Sequence, residues 1–325
     1  MSSGPTVLMN AILPLPLFRR GKVRDVYDLG EELLIVSTDR ISAFDVVLPC
    51  GIPGKGKVLS QLSAFWFKKT ARMLPNHLIK VIDSADTLRD VLASTPAVIA
   101  RNEVTKQSQK KRDSSLTLGT NLVDRSMLVA KAERIPVECV VRGYLSGSAW
   151  VEYKETGKVG DISLPKGMKE SQELSQPIFT PTTKSDTEHD RPLTNQDIKD
   201  IGVEDLFGEL EQKSLLVYGY ARDYAKRRGI IIADTKFEFG FINGKLALID
   251  ELLTPDSSRF WDASQYEIGH SQPSFDKQPV RDWLLDSGWD KEPPAPMLPP
   301  EVIERTSERY REVYSKLTGG VLRGK

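Results

Sequence analysis

In the segment GIIIADTKFEFGF, Asp234, Lys236 and Glu238 fall at every second position, and on an extended strand that spacing sends all three to one face. Three charges on one face need a reason. A solvent-facing edge would supply one, and a site for charged ligands would supply another. In either case Thr235, Phe237 and Phe239 have the opposite parity and are expected to pack inward.

The next apolar run, KLALIDELL, follows Asn243-Gly244, and the two runs together read as a β-hairpin. Its register decides what faces Glu238. A two-residue loop pairs Glu238 with Ile249, whereas a three-residue loop with a glycine bulge pairs it with Asp250. The three-residue loop is the expectation here. Two carboxylates opposed across a hairpin, with Cβ atoms about 5 Å apart, repel unless a cation sits between them. Mg²⁺ accompanying ATP phosphates would meet that need.

Other segments carry weaker signals. Gly21-Lys22-Val23-Arg24 joins a flexible glycine to two cations, which suits either a phosphate-covering loop or an ordinary turn. GIPGKGK, residues 51–57, precedes a helical pattern and reads as an anion site or as a plain turn. RGYLSGS, from Arg142 to Ser148, couples a strand-borne cation to two glycines and two hydroxyls, enough donors for a phosphate or carboxylate. Lys184-Ser185-Asp186-Thr187-Glu188-His189-Asp190 is dense in ionisable groups without amphipathic period, as a functional loop would be.

The elements that must position these residues are legible from periodicity. Residues 21–47 alternate as antiparallel strands with a tip at Gly30, and 58–74 repeat apolar residues at helical spacing until Pro75. A basic, aperiodic stretch around Lys110 reads as a surface loop, and PVECVV after it returns to strand character. A long helix is predicted over 203–228, ending at Gly229, and a Pro-rich linker leads to a helical tail after Pro293.

Lys+Arg and Asp+Glu number 45 each, so no global field gathers nucleic acid or an anionic membrane, and anion recognition must be local. Two cysteines without metal-type spacing suggest a reducing compartment. The apolar stretch of residues 6–18 is interrupted by Pro14 and Pro16 and lacks a basic lead, so it does not read as a signal peptide; a cytoplasmic location is expected.

Taken in order, GKVRDVY, STDRISAFDVV, IPGKGKVLSQLSAFWF, PVECVVRGYLSGSAW, PTTKSDTEHD, ADTKFEFG and IDELLTPDSSRFW resemble the SAICAR synthetase family from Gly21 to Trp289. The resemblance implies an α+β, ATP-grasp-like fold: an antiparallel β-rich lobe over 14–130, a larger α/β lobe over 131–290 with ATP in the cleft between them, and a helical extension over 291–325. It implies ATP and Mg²⁺ as cofactors, with Gly21, Lys22, Val23 and Arg24 over the phosphates and adenine along Lys131 to Glu138. Glu238 and Asp250 would be metal ligands and Lys236 would lie beside the transferring phosphoryl group.

The resemblance assigns the ribotide substrate to Arg142, Ser148, Lys184, Asp186, His189 and Arg259, with Asp190 and Asp234 as further catalytic candidates. The implied reaction is ATP-dependent ligation of the carboxylate of 5-amino-1-(5-phosphoribosyl)imidazole-4-carboxylate (CAIR) to L-aspartate, carried out by a monomer on small molecules, with no nucleic acid or membrane partner. A small-molecule kinase uses much the same phosphate and metal chemistry, and a non-catalytic nucleotide-binding module would share the residues without the turnover.

Overall fold

The computed structural model describes residues 7–93, 121–184 and 191–322, so the stretch around Lys110 and the candidates Asp186, His189 and Asp190 lie outside the described residues. The chain is α+β and forms two compact units. The first comprises the described residues of Met1–Lys68, His77–Ala132 and Lys277–Lys325, and the second those of Lys69–Asn76 and Glu133–Asp276.

In the first unit, β1 (Leu17–Arg20), β2 (Arg24–Asp28), β3 (Glu32–Ser37), β6 (Leu78–Ile82) and β7 (Ser126–Ala130) form an antiparallel sheet in the order β1-β2-β3-β7-β6. Between β3 and β6 run the ribbon β4 (Arg40–Ala43) and β5 (Val46–Gly51) and the helix α1 (Lys55–Thr70). The central strands are apolar at both parities because both faces are covered. Leu34, Val36 and Leu128 pack with Leu88 and Val91 of α2 (Ala85–Ala93), while Ile35, Met127 and Val129 pack with Ala64 of α1.

The second unit is built on β8 (Glu133–Tyr144), β11 (Glu173–Phe179), β13 (Ile230–Ile242) and β14 (Lys245–Ile249), in the order β11-β8-β13-β14. The short β12 (Thr182–Thr183) pairs with β8, and β15 (Ser258–Asp262) pairs with β13. A separate ribbon, β9 (Lys158–Val159) with β10 (Ile162–Ser163), follows helix α3 (Ser148–Thr156). After the short α4 (Asn195–Ile201), the long α5 (Glu204–Lys226) buries Leu210, Ser214, Val217, Tyr218, Ala221 and Tyr224, a stripe at helical spacing. Tyr218 donates its hydroxyl proton to the Ile232 carbonyl at 2.7 Å, and a Cβ at Gly143 would overlap that hydroxyl. Side chains of β13 divide as the alternation predicts: Thr235, Phe237 and Phe239 are buried.

The hairpin of β13 and β14 corrects one expectation. The loop has two residues, Asn243 and Gly244, both with positive φ (50° and 71°), as a tight type I′ connection requires. Ile242 therefore pairs with Lys245, and Glu238 pairs with Ile249 rather than Asp250. Asp250 follows β14 with φ 66°, in the left-handed region, so the chain turns there instead of extending the ladder.

The described residues from 277 onward return to the first unit as α6 (Gln278–Asp286) and α7 (Pro300–Thr318). Val280, Leu284 and Leu298 join Ile41, Leu48 and Ile52 in one core cluster. Ser307 donates to the Pro53 carbonyl at 2.6 Å, Tyr314 to Gln61 at 2.9 Å, and the ring of Tyr310 lies 5.7 Å from the ammonium of the fully buried Lys55. The segment GIPGKGK enters α1 here, and its Gly56 N–H is taken by the Asp39 carboxylate at 2.9 Å.

Candidate active site

The three charges of β13 do not face solvent as an edge would. β13 is an interior strand, and its register aligns Asp234 with Arg142 of β8 on one side and with Arg259 of β15 on the other. The result is a cation–anion–cation row across three strands. Arg259 pairs with Asp234 Oδ2 through a short contact, and Arg142 Nη1 approaches the same oxygen at 3.5 Å. Arg142 also donates from Nε to Thr180 Oγ1 at 2.9 Å and from Nη2 toward Ser148 Oγ at 3.5 Å. Gly147, just before α3, has φ 57°, and a Cβ there would overlap the Arg259 guanidinium.

Four residues further along β13, the same register sets Glu238 directly opposite Glu138 of β8. Two carboxylates so placed repel, and the cation between them is Lys184. Its ammonium reaches Glu138 through a short hydrogen bond and Glu238 Oε1 at 3.0 Å. Pairing of β12 with β8, Thr182 to Glu138, delivers the backbone that carries Lys184. Lys236, between the two rows, donates to Glu138 Oε1 at 3.0 Å.

These contacts set the protonation of the group. Burial pushes the Glu138 carboxyl upward, but the ammoniums of Lys236 and Lys184 outweigh it and hold the pKa below the ordinary range. For Lys184, burial alone would favour the neutral amine; Glu238 and Glu138 reverse that and raise its pKa. Lys236 is raised likewise, against burial, chiefly by Glu138 and with Glu251 contributing. On the opposite parity of β8, Cys139 is fully buried, and burial pushes its thiol up to about 12.

The sequence candidates thus divide. Arg142, Ser148, Lys184, Asp234, Lys236, Glu238 and Arg259 gather on one face of the second unit's sheet. Glu138, expected beside adenine, belongs to that face as well and pairs with both Lys184 and Lys236. Gly21, Lys22, Val23, Arg24 and Lys131 belong to the first unit. There the turn is closed by Gly21 N–H donating to the Arg24 carbonyl at 2.8 Å, and Lys131 pairs with Asp28 at 2.9 Å.

Two groups escaped sequence reasoning. The opposition of Glu138 to Glu238 was readable only in part: Glu138 and Arg142 share parity in PVECVVRGY, as Glu238 and Asp234 do in ADTKFEF, but no local signal sets two distant strands side by side. The other is Arg40, whose guanidinium donates to the Gly21 carbonyl at 3.0 Å, the Lys22 carbonyl at 3.1 Å and Asp25 Oδ1 at 2.8 Å. Its signal was a charged pair, Asp39-Arg40, closing the apolar strand ELLIVST.

Comparison with known proteins identifies the family. A family model described as SAICAR synthetase matches residues 17–296. The phosphoribosylaminoimidazole-succinocarboxamide synthase of Thermodesulfovibrio yellowstonii is 48% identical over 312 residues, covering 96% of this chain and 98% of that protein. The protein of the same name from Syntrophobacter fumaroxidans is 44% identical, with both chains covered in full. Among solved structures, the Saccharomyces cerevisiae SAICAR synthase complexed with SAICAR superposes with a TM-score of 0.81 at 41% identity, covering 98% of this chain and 100% of that one. A type-2 SAICAR synthetase in complex with ADP gives 0.63 at 25% identity, covering 93% and 98%. On the family-model match over residues 17–296 and on relatives 44% and 48% identical along nearly the whole chain, this protein belongs to the SAICAR synthetase family.

Proposed function

We propose that this chain is the ATP-dependent ligase of purine biosynthesis that joins CAIR to L-aspartate, giving SAICAR, ADP and phosphate. The observation that carries the reading is the pair of rows on one sheet face, Arg142-Asp234-Arg259 and Glu138-Glu238, with Lys236 between them. Phosphoryl transfer needs positioning and charge neutralisation more than covalent help, and this face supplies both.

The carboxylate of CAIR takes the γ-phosphoryl group of ATP, releasing ADP; the aspartate amine then attacks the acyl phosphate carbon and inorganic phosphate leaves. Arg142, Ser148, Lys184 and Arg259 are assigned to the anionic groups of the ribotide, and Lys236 to the oxygens of the phosphoryl group in transit. Two guanidiniums engage Asp234 Oδ2, so we assign Asp234 to positioning those cations; Asp190 remains the candidate proton acceptor for the amine. Gly21, Lys22, Val23 and Arg24 are assigned to the ATP phosphates and Lys131 to the adenine side.

Among the described residues no three His, Cys, Asp or Glu side chains stand together as a metal cage. Mg²⁺ commonly takes one or two carboxylates and completes its shell with phosphate oxygens and water. Glu238 with Glu138 fits that habit, and Asp250, one residue beyond the Ile249 partner of Glu238, is the further candidate. When bound, Mg²⁺ would neutralise the phosphate charge. Two buried thiols without a disulfide suit a cytoplasmic setting, and a monomer acting on small molecules completes the proposal.

ADP release measured with ATP, CAIR and aspartate omitted in turn tests it. Release should require all three. ADP formation that ignores aspartate, with a phosphorylated product accumulating, would make the chain a kinase instead.

A further inference from the structure

Lys184 occupies the place where a divalent cation would meet Glu138 and Glu238. Its one ammonium touches Oε1 of both, and the opposed register leaves the two carboxylates pointed at a single gap. A dication held by both oxygens and an ammonium held by both oxygens claim the same volume, and like charges in a half-buried gap repel strongly. The neighbouring cations are engaged elsewhere on the face: Arg142 and Arg259 share Asp234, and Lys236 holds Glu138 alone of the two carboxylates in the gap.

We propose that Lys184 is an exchangeable counter-cation: a divalent ion enters the Glu138–Glu238 gap only by displacing its ammonium, which then serves an anionic group of the substrate. Metal entry and the freeing of Lys184 are one event, so each favours the other by the same factor. The inference rests on the assignment of Glu238 to the metal. It adds that the chain carries its own competitor for that metal and that the competitor is a substrate-binding group.

The measurement is Mn²⁺ binding to the whole chain, followed by the electron paramagnetic resonance of free Mn²⁺, with and without ADP. Lys184→Met removes the charge and keeps the length; it should bind Mn²⁺ at least about tenfold tighter than the wild type. Lys184→Arg retains a competing cation and should show no such gain. Adding Glu138→Gln to Lys184→Met should abolish the gain. Circular dichroism and the unfolding midpoint of each variant establish that it is folded.

Equal affinity in wild type and Lys184→Met, with binding weakened by Glu238→Gln, overturns the exchange and leaves Glu238 a ligand. Mn²⁺ binding that neither Glu238→Gln nor Glu138→Gln alters overturns the metal assignment and the exchange with it.

Discussion

Glu138 and Glu238 are direct register partners on β8 and β13, two carboxylates brought face to face in the interior of a sheet by strands about a hundred residues apart in sequence. Such an arrangement persists only with cations supplied, and it marks the part of the face where positive charge is required. Glu238→Gln is expected to lower turnover by roughly two to three orders of magnitude, the scale of losing one electrostatic contact to a transition state. Turnover measured against Mg²⁺ concentration is the check, and a wild-type Mg²⁺ profile would remove Glu238 from the site.

Lys236 contributes a charge at the centre of the same face, and its side chain is partly exposed. Lys236→Met should retain the wild-type circular dichroism spectrum while ADP release falls roughly 10²- to 10³-fold. KM values should move little if the ammonium acts on the phosphoryl group in transit. A variant with full turnover would refute that role.

Gly147 has a backbone conformation that side chains rarely adopt, and it lies where a Cβ would overlap Arg259. Gly147→Ala is therefore expected to cost roughly 1–3 kcal/mol of stability through strain. It should also raise the KM for the ribotide, because the guanidinium must shift. Arg259→Lys separates the two effects: stability stays near wild type while ribotide KM rises about 10- to 100-fold, since a point charge cannot reproduce a guanidinium fork. Urea unfolding together with steady-state kinetics reads both.

Stability against pH follows from the lysine–glutamate group. Glu138 is held below its ordinary value of 4.5, so the folded chain binds fewer protons than the unfolded one in that range. Its stabilising contribution is complete above pH 4.5 and is lost as pH falls through the depressed folded value. Lys184 runs the other way: raised above 10.5, it contributes fully below that pH and loses its contribution as pH climbs through the folded value. Urea midpoints across the acid limb should fall less steeply in Glu138→Gln than in the wild type; parallel limbs would contradict the assignment.

Arg40 ties β4 to two backbone carbonyls of the turn at Gly21, with Asp25 fully buried against it. Removing one partner of a buried pair costs roughly 3–5 kcal/mol, so Arg40→Met should unfold at markedly lower denaturant. Arg40→Lys keeps the charge but loses the fork. Hydrogen exchange at the turn should then quicken, and the KM for ATP should rise more than kcat falls. An unchanged ATP KM with faster exchange would separate the turn from nucleotide binding.

Much of this was legible in the sequence. Alternation in ADTKFEFGF put Asp234, Lys236 and Glu238 on one face and buried Phe237 and Phe239, because period two is a local property of a strand. The helix of α5 was legible for the same reason at period 3.6. What periodicity could not supply was pairing. The positive φ of both Asn243 and Gly244 makes the loop two residues long, and that single-residue difference moved Asp250 out of register with Glu238. The carboxylate that stands opposite Glu238 comes from β8 instead, through a long-range contact that no local pattern announces. Arg40 was missed for a related reason, since a charged residue ending an apolar strand does not say which turn it will hold.

Cys139 lies on the reverse side of the strand that presents Glu138, fully buried and with its thiol pushed up to about 12. A sulfur so placed is inert to alkylation while β8 stays seated under α5. Its rate of modification therefore reports how often the floor beneath the charged rows lifts, a built-in gauge of breathing in the central strands.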